Sequence, residues 1–471
     1  MLLSETRHCP SLPPPQEIRD ALPFPTIHRL NAAFEQGSAD PVRITEQALQ
    51  AASSRRDIFT VLTEARARAG ARKAAERLRS GKRLGLLDGI PVSWKDLFDQ
   101  AGETTRAASR TTAHQAPASN NATAVDLLEQ QGAVSVGRTN LTEFAFSGLG
   151  LNPNFGTPAN VWSPAHTLLT PGGSSSGAAV SVAEGIVAYA IGTDSSGSVR
   201  IPAALNGLTG FKPTAARVSR IGVWPLSPTL DSIGPLAHTV ADVCAVMQGF
   251  GMAPAKFSGS LQIVVPTDCY GEDAEPSIQQ AFERTLGYLK TAGCEIIRRQ
   301  LAALAQLPEL FAEYGTLVGI EAYRLHHAAL AQAELMDPRV ASRLQSNQSY
   351  PAANLAHLLN RRSQLQQLLR QELQGALLAM PTTAIHAPPL GKLAADDRYF
   401  AECNAKILRN TMAGSFLDLP SLTLPTGLDG NGLPAALMLS APSGSDENVL
   451  AAGLAVAQAL TGDTVLNEQR A

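Results

Sequence analysis

The stretch "GIVAYAIGTDSSGSVRIPAALNG", residues 185–207, decides how this chain is read. Its first third is apolar without alternation, the pattern of a strand covered on both faces. Its last third, "RIPAALNG", places proline in the first turn of a short helix. The Gly/Ser run between them is pinned at both ends and is no slack linker. The N–H groups of Ser195, Ser196, Gly197 and Ser198 then lie ahead of a helix N-terminus, where successive backbone donors form an anion nest. A phosphate oxygen or the oxyanion of an acyl-transfer intermediate would suit such a nest. The chain has neither GxxxxGK[ST] nor GxGxxG, so the serines point to acyl chemistry.

The same grammar extends outward. "GIPVSW" reads as a strand with Val92 and Trp94 on one face and Ser93 and Lys95 on the other. "ATAVDLLEQQGAVSVGRTN" gives a helix, a stop at Gly132 and a strand. "ARARAGARKAAERLRSG" is a helix ending at Gly81. "LQIVVP", "SIQQAFERTLGYLKTAG" and "CEIIRR" form a further β-α-β unit, and strands "GALLAMP", "SLTLP" and "AALMLS" precede a closing amphipathic helix. Helices and strands alternate with no long polar linker after residue 30. The expectation is α/β: a single large domain over residues 25–471 with helices on both faces of a central sheet. Residues 1–24 are a proline-rich arm, and residues 302–379 are a mainly helical elaboration that could serve as a lid.

Bulk properties exclude several classes. With 471 residues, 44% hydrophobic and 17% charged, a sizeable core is available. A net charge of −3 leaves no basic footprint for nucleic acid. Five scattered cysteines form no CxxC or Cys/His cluster, so neither a disulfide framework nor a metal site is expected. No secretory leader or membrane-length apolar run is visible, and a cytoplasmic protein is expected.

A second Gly/Ser loop, "TPGGSSSGAAV" (170–180), contains G-x-S-x-G centred on Ser175. A hydrolase nucleophile elbow would need a strand directly before it. "SPAHTLLTPGG", with prolines 164 and 171, is a poor one. No histidine sits in a distinctive setting, so lysine is the substitute base. A lysine serves only when neutral, which burial can achieve. Lys95, inside "LDGIPVSWKDLFD" (87–99), is one candidate; taken alone it reads as a surface lysine paired with Asp96.

Six segments in order supply the context: "LDGIPVSWKDLFDQAGETT" (87–105), "GAVSVGRTNLTEFAFSG" (132–148), "NFGTPANVW" (154–162), "PGGSSSGAAVSVA" (171–183), "GTDSSGSVRIPAALNGLTGFKPT" (192–214) and "LDSIGPLAHTVADV" (230–243). Together they resemble the amidase signature family. The resemblance implies a central mixed β-sheet covered by helices and a Ser–cis-Ser–Lys triad. On it, Ser198 takes the nucleophile position, Ser174 the bridging serine and Lys95 the base. The amides of Ser195, Ser196, Gly197 and Ser198 take the oxyanion hole. Asp194 and Arg200 are expected to hold the loop. Ser175 is a candidate for the relay or a helix cap, and Thr193 a candidate substrate contact. Asn140, Glu143 and Phe144 match scaffold positions. Ser176 and Ser196 stand where the family usually has glycine. At position 196 a serine would be strained if φ were positive.

The expected activity is hydrolysis of a carboxamide to an acid plus ammonia or an amine. No cofactor or metal is implied. The partner is a small-molecule amide, without nucleic acid or membrane, and a homodimer is compatible. Two alternatives stand beside it: the glutamine-hydrolysing component of a tRNA-dependent amidotransferase, and an inactive family scaffold. Pocket walls are expected from residues 110–150 and 310–400.

Overall fold

The strand "YAIGTD" lies deep inside a large mixed sheet, as its unbroken apolar lead-in requires. The computed structural model describes residues 25–256, 260–268 and 270–461. The expected arm at residues 1–24 lies outside the described residues. The strands are β1 (Phe59–Leu62), β2 (Pro91–Lys95), β3 (Val134–Thr139), β4 (Tyr189–Asp194), β5 (Thr209–Lys212), β6 (Ser232–Ala237), β7 (Gln262–Pro266), β8 (Glu295–Arg299), β9 (Leu377–Pro381), β10 (Ser421–Leu428) and β11 (Pro434–Ser440). They form one 11-stranded sheet in the order β1-β3-β2-β4-β6-β5-β10-β11-β9-β7-β8. β2 runs parallel to both β3 and β4, whereas β4 and β6 are antiparallel.

Strand periodicity sorts the side chains onto two faces. Val92, Trp94, Tyr189 and Ile191 enter one core with residues of the helices Val240–Gly249, Pro276–Thr291 and Asp446–Thr461. Ala190 faces the other way, against Ala178, Val180 and Val182. Those three belong to helix α1 (Ser176–Ala183), whose Ser181 Oγ meets Ser93 Oγ at 2.9 Å. Helices therefore cover both faces, and the chain is a single large α/β domain. Gly185, at φ 71°, ends α1 and turns the chain into the strand.

Three further helices position the site. α2 (Arg200–Leu205) follows β4 through the Gly/Ser loop. α3 (Pro338–Ser346) starts with proline after Asp337, whose carboxylate accepts from Arg339 N–H at 3.0 Å. α4 (Asp397–Phe416) is capped by Asp396, which accepts from Tyr399 N–H at 2.9 Å. The elaboration is helical up to Leu373, and β9 begins within its last residues. It is a packed layer: Leu304, Leu344 and Leu365 share a core with Val264, Leu378 and Met380 of the sheet. Among the described residues no helix is long and apolar enough to cross a membrane.

Candidate active site

β2 carries Lys95 out of the core at its C-terminal end, yet the side chain never reaches water; its relative exposure is 0%. Its Nζ lies 2.7 Å from Ser174 Oγ, 2.9 Å from Thr193 Oγ1 and 3.3 Å from Thr193 O. Burial pulls the amine down to a pKa of about 7, although the charges of Asp194 and Asp231 act the other way. Asp96 is no partner: its carboxylate faces Arg138 at 3.3 Å and accepts from Thr60 Oγ1 at 3.0 Å. The surface ion pair suggested by the sequence is thus absent. The Lys95 amine is thus a buried group in direct hydrogen-bond contact with a serine hydroxyl.

Ser174 follows a cis peptide bond from Gly173. Gly173 lies hard against the neighbouring chain, where a Cβ would meet Gly150 N at 2.5 Å. No strand leads into this loop; Leu169 makes only an isolated bridge to Pro389. The elbow geometry centred on Ser175 is therefore not formed. Ser175 occupies the N-cap position of α1 but makes no capping bond. Its N–H donates to Ser198 O at 3.3 Å and its hydroxyl to Thr193 O at 3.4 Å, so it stitches the two Gly/Ser loops together.

The 192–200 loop is held from inside by one ion pair. Arg200 and Asp194 are both fully buried, with Nη2 2.9 Å from Oδ1 and Nε 3.0 Å from Oδ2. Burial would raise the Asp194 pKa, but Arg200 outweighs it and holds the carboxyl at about 2. Arg200 also reaches α4, donating to Thr411 O at 3.0 Å and Ser415 Oγ at 2.7 Å. Asp194 and Arg200 therefore act as loop holders.

One amide departs from the four-donor cup. Gly197 N–H donates to Asp194 Oδ1 at 2.7 Å, because the carboxylate folds back under the turn. The amides of Ser195, Ser196 and Ser198 make no backbone hydrogen bond among the described residues. Gly197 serves through its shape instead: its φ is +133° and a Cβ would meet Thr411 Oγ1 at 2.2 Å. Ser196 is not in the left-handed region, so the serine there brings no backbone strain.

Ser195, Ser196 and Ser198 line a cavity of about 450 Å³ whose walls include Phe146, Val318, Arg343 and Phe400. As expected, segments near 145 and 310–400 contribute, but α4 extends the wall to Met412. Lys95 and Ser174 are not among the residues that line this cavity. No described hydrogen bond joins the Ser198 and Ser174 hydroxyls; their segments meet through the Ser175–Ser198 backbone contact.

Thr193 is set apart from the main cavity's lining. It holds Lys95 and borders a separate, smaller cavity of about 170 Å³. Asn140 is scaffold, donating to Asp57 O at 3.0 Å and Gly156 O at 2.8 Å. Glu143 is buried and accepts from Ser109 Oγ and from Asp337 N–H, each at 2.6 Å. The sequence reading missed Asp231, which accepts from Ser195 Oγ and the amides of Leu226 and Ser227. It also missed Thr411, whose hydroxyl donates to Ser196 O at 2.6 Å. Asp231 lies inside a recognisable segment; Thr411 carries no sequence signal.

The chain is similar to known proteins along most of its length. The family model described as Amidase matches residues 43–450. A 2-amino-5-chloromuconic acid deaminase of Comamonas testosteroni is 34% identical over 410 residues, covering 84% of this chain and 87% of that protein. The glutamyl-tRNA(Gln) amidotransferase A-type polypeptide of Synechococcus sp. (strain RCC307) is 31% identical over 462 residues, covering 89% and 94% respectively. A solved amidase structure superposes with a TM-score of 0.81 at 31% identity, covering 91% of this chain and 98% of its own. By sequence and by fold, the chain belongs to the amidase family, hydrolases that act on amide C–N bonds.

Proposed function

We propose that this chain hydrolyses a small carboxamide through an acyl-enzyme on Ser198, with Ser174 as proton bridge and Lys95 as base. One observation carries the reading: a fully buried amine with a pKa of about 7 lies 2.7 Å from a serine hydroxyl. Neutral Lys95 accepts the Ser174 proton while Ser174 accepts that of Ser198. Ser198 Oγ then forms a C–O bond to the substrate carbonyl carbon. The carbonyl oxygen becomes an oxyanion facing the amides of Ser195, Ser196 and Ser198. Collapse breaks the C–N bond, and the proton held on Lys95 leaves with the nitrogen through the same bridge. Water repeats the cycle on the ester and releases the acid. The likeness to a named deaminase favours ammonia as the leaving group.

The test is ammonia release from a panel of aliphatic, aryl and urea-type amides, with fluorophosphonate labelling of the wild type and Ser198→Ala. Labelling and turnover that both vanish in the variant support the reading. Equal labelling in the two proteins overturns it. The likeness to an amidotransferase polypeptide favours a second reading. Glutaminase activity appearing only with co-purifying polypeptides and charged tRNA would select it.

A further inference from the structure

We infer that Asp231 is a positioning residue for the Ser198 loop: it grips the Ser195 hydroxyl and so aims the Ser195 and Ser196 amides at the reacting carbonyl. The inference rests on the proposed amidase reading for the identity of the reaction. It starts from strand register. β4 and β6 run antiparallel with Asp194 opposite Ser232, so Ser195 and Asp231 meet just beyond the strand ends. Both are buried, and Ser195 Oγ donates to Asp231 Oδ1. The same carboxylate accepts from Leu226 N–H at 2.9 Å and from Ser227 N–H at 3.0 Å. Each of these hydrogen bonds is donated by the partner, which suits the ionised form.

This grip complements the one beneath the loop. The Asp194 carboxylate holds the second half, through the amides of Gly197, Val199 and Arg200. Among the described residues it accepts nothing from Ser195 or Ser196. The first half of the loop is therefore left to Asp231, with Thr411 adding a hold at Ser196 O. Two of the three amides proposed to face the oxyanion lie in that half. Donors that are already aimed need no reordering when charge develops, and that is the larger part of their effect on a barrier.

The grip is itself anchored in the helical elaboration. Asp231 closes a turn over residues 226–231, its own N–H donating to Ser227 O at 2.8 Å. Glu321, on the helix Leu317–His326, accepts from Thr229 N–H at 3.1 Å and from the hydroxyls of Ser227 and Thr229. His326 of the same helix meets Pro225 O at 2.8 Å. That helix also brings Val318 to the main cavity, which Leu226 lines as well. A chain of charge-assisted contacts, Glu321 to Ser227 to Asp231 to Ser195, thus runs from the cavity wall to the loop amides. Such contacts are short and directional, so they fix position more closely than apolar packing does.

The experiment measures amide hydrolysis in wild type, Ser195→Ala, Ser195→Thr, Asp231→Asn and the Ser195→Ala/Asp231→Asn double variant. Ser195→Ala should lower kcat by about tenfold to 100-fold with KM within about twofold, because lost aim matters only where charge develops. Ser195→Thr keeps the hydroxyl and should restore most of kcat. Asp231→Asn should lower kcat in the same way. The double variant should be within about twofold of the worse single variant, as for two members of one contact. An unchanged kcat in Ser195→Ala, a loss carried by KM, no rescue by threonine, or losses that multiply in the double variant each overturn the inference. A second readout needs no turnover. Amide hydrogen exchange over residues 192–200 should quicken in Ser195→Ala while β2 keeps its wild-type protection. Unchanged exchange in the loop, or exchange that quickens equally in β2, overturns the inference. If Ser198 resists labelling and no amide is hydrolysed, the amidase reading fails by itself, while loop exchange still decides whether Asp231 holds the loop through Ser195.

Discussion

Arg200 and Arg343 are the same side chain in opposite circumstances. Arg200 sits under the Ser198 loop with its charge answered by Asp194 and its remaining donors taken by α4. Arg343 lines the cavity with an aromatic ring beneath it and no acceptor among the described residues. The difference separates two circumstances. A charge answered inside the protein holds its loop whether or not anything is bound. A charge with no such answer adds no support of that kind to the fold.

The strongest way to break the comparison is at the loop. Ser198→Ala should abolish turnover by about 10⁴-fold or more, because a nucleophile and its relay act as one unit. Ammonia release measures it, and residual activity within tenfold of wild type would remove Ser198 from its role. Lys95→Ala should cost about 10²–10⁴-fold in kcat while circular dichroism stays native. Its pH profile sharpens the point. With its pKa lowered to about 7, Lys95 is protonated and unable to accept a proton below that pH. Wild-type kcat/KM should therefore rise through pH 7, and any residual activity of Lys95→Ala should lack that limb.

Stability tests the contrast directly. Arg200→Met strands the Asp194 carboxylate in the interior and should destabilise the fold by about 3–5 kcal/mol, read from urea unfolding. Arg343→Met removes an unanswered charge, and its ligand-free melting temperature should equal or exceed that of the wild type. A loss comparable to that of Arg200→Met would show that Arg343 is structural. The smallest effect is expected at Ser176→Gly. Ser176 Oγ is buried without a hydrogen bond in the first turn of α1, so the change should stay within about 1 kcal/mol.

Local signals were enough for much of this architecture. The apolar entry to β4, the proline opening α2 and the alternation in "PVSW" set strand, helix and face, because each depends on neighbouring residues alone. Lys95, Ser174 and Ser198 stood out as candidates because they lie in ordered segments resembling a family. That Thr193 meets Lys95 was not legible: which face of a loop entrance a side chain takes depends on the neighbouring strand. Gly197 N–H was assigned to the cup because successive amides look alike in sequence. Only the folded-back Asp194 carboxylate distinguishes it.

By itself, the order of residues determined that strands and helices alternate, and it brought forward two serine loops and one lysine as the candidates for acyl chemistry. Those are matters of period, spacing and side-chain type. Only tertiary structure decided that Lys95 is dry while Asp96 turns away to Arg138, that Arg200 is paired and that Arg343 is not. The reason is physical. Whether a charge is answered depends on burial and on partners brought in by distant segments, and neither quantity is encoded in a residue's own neighbours along the chain.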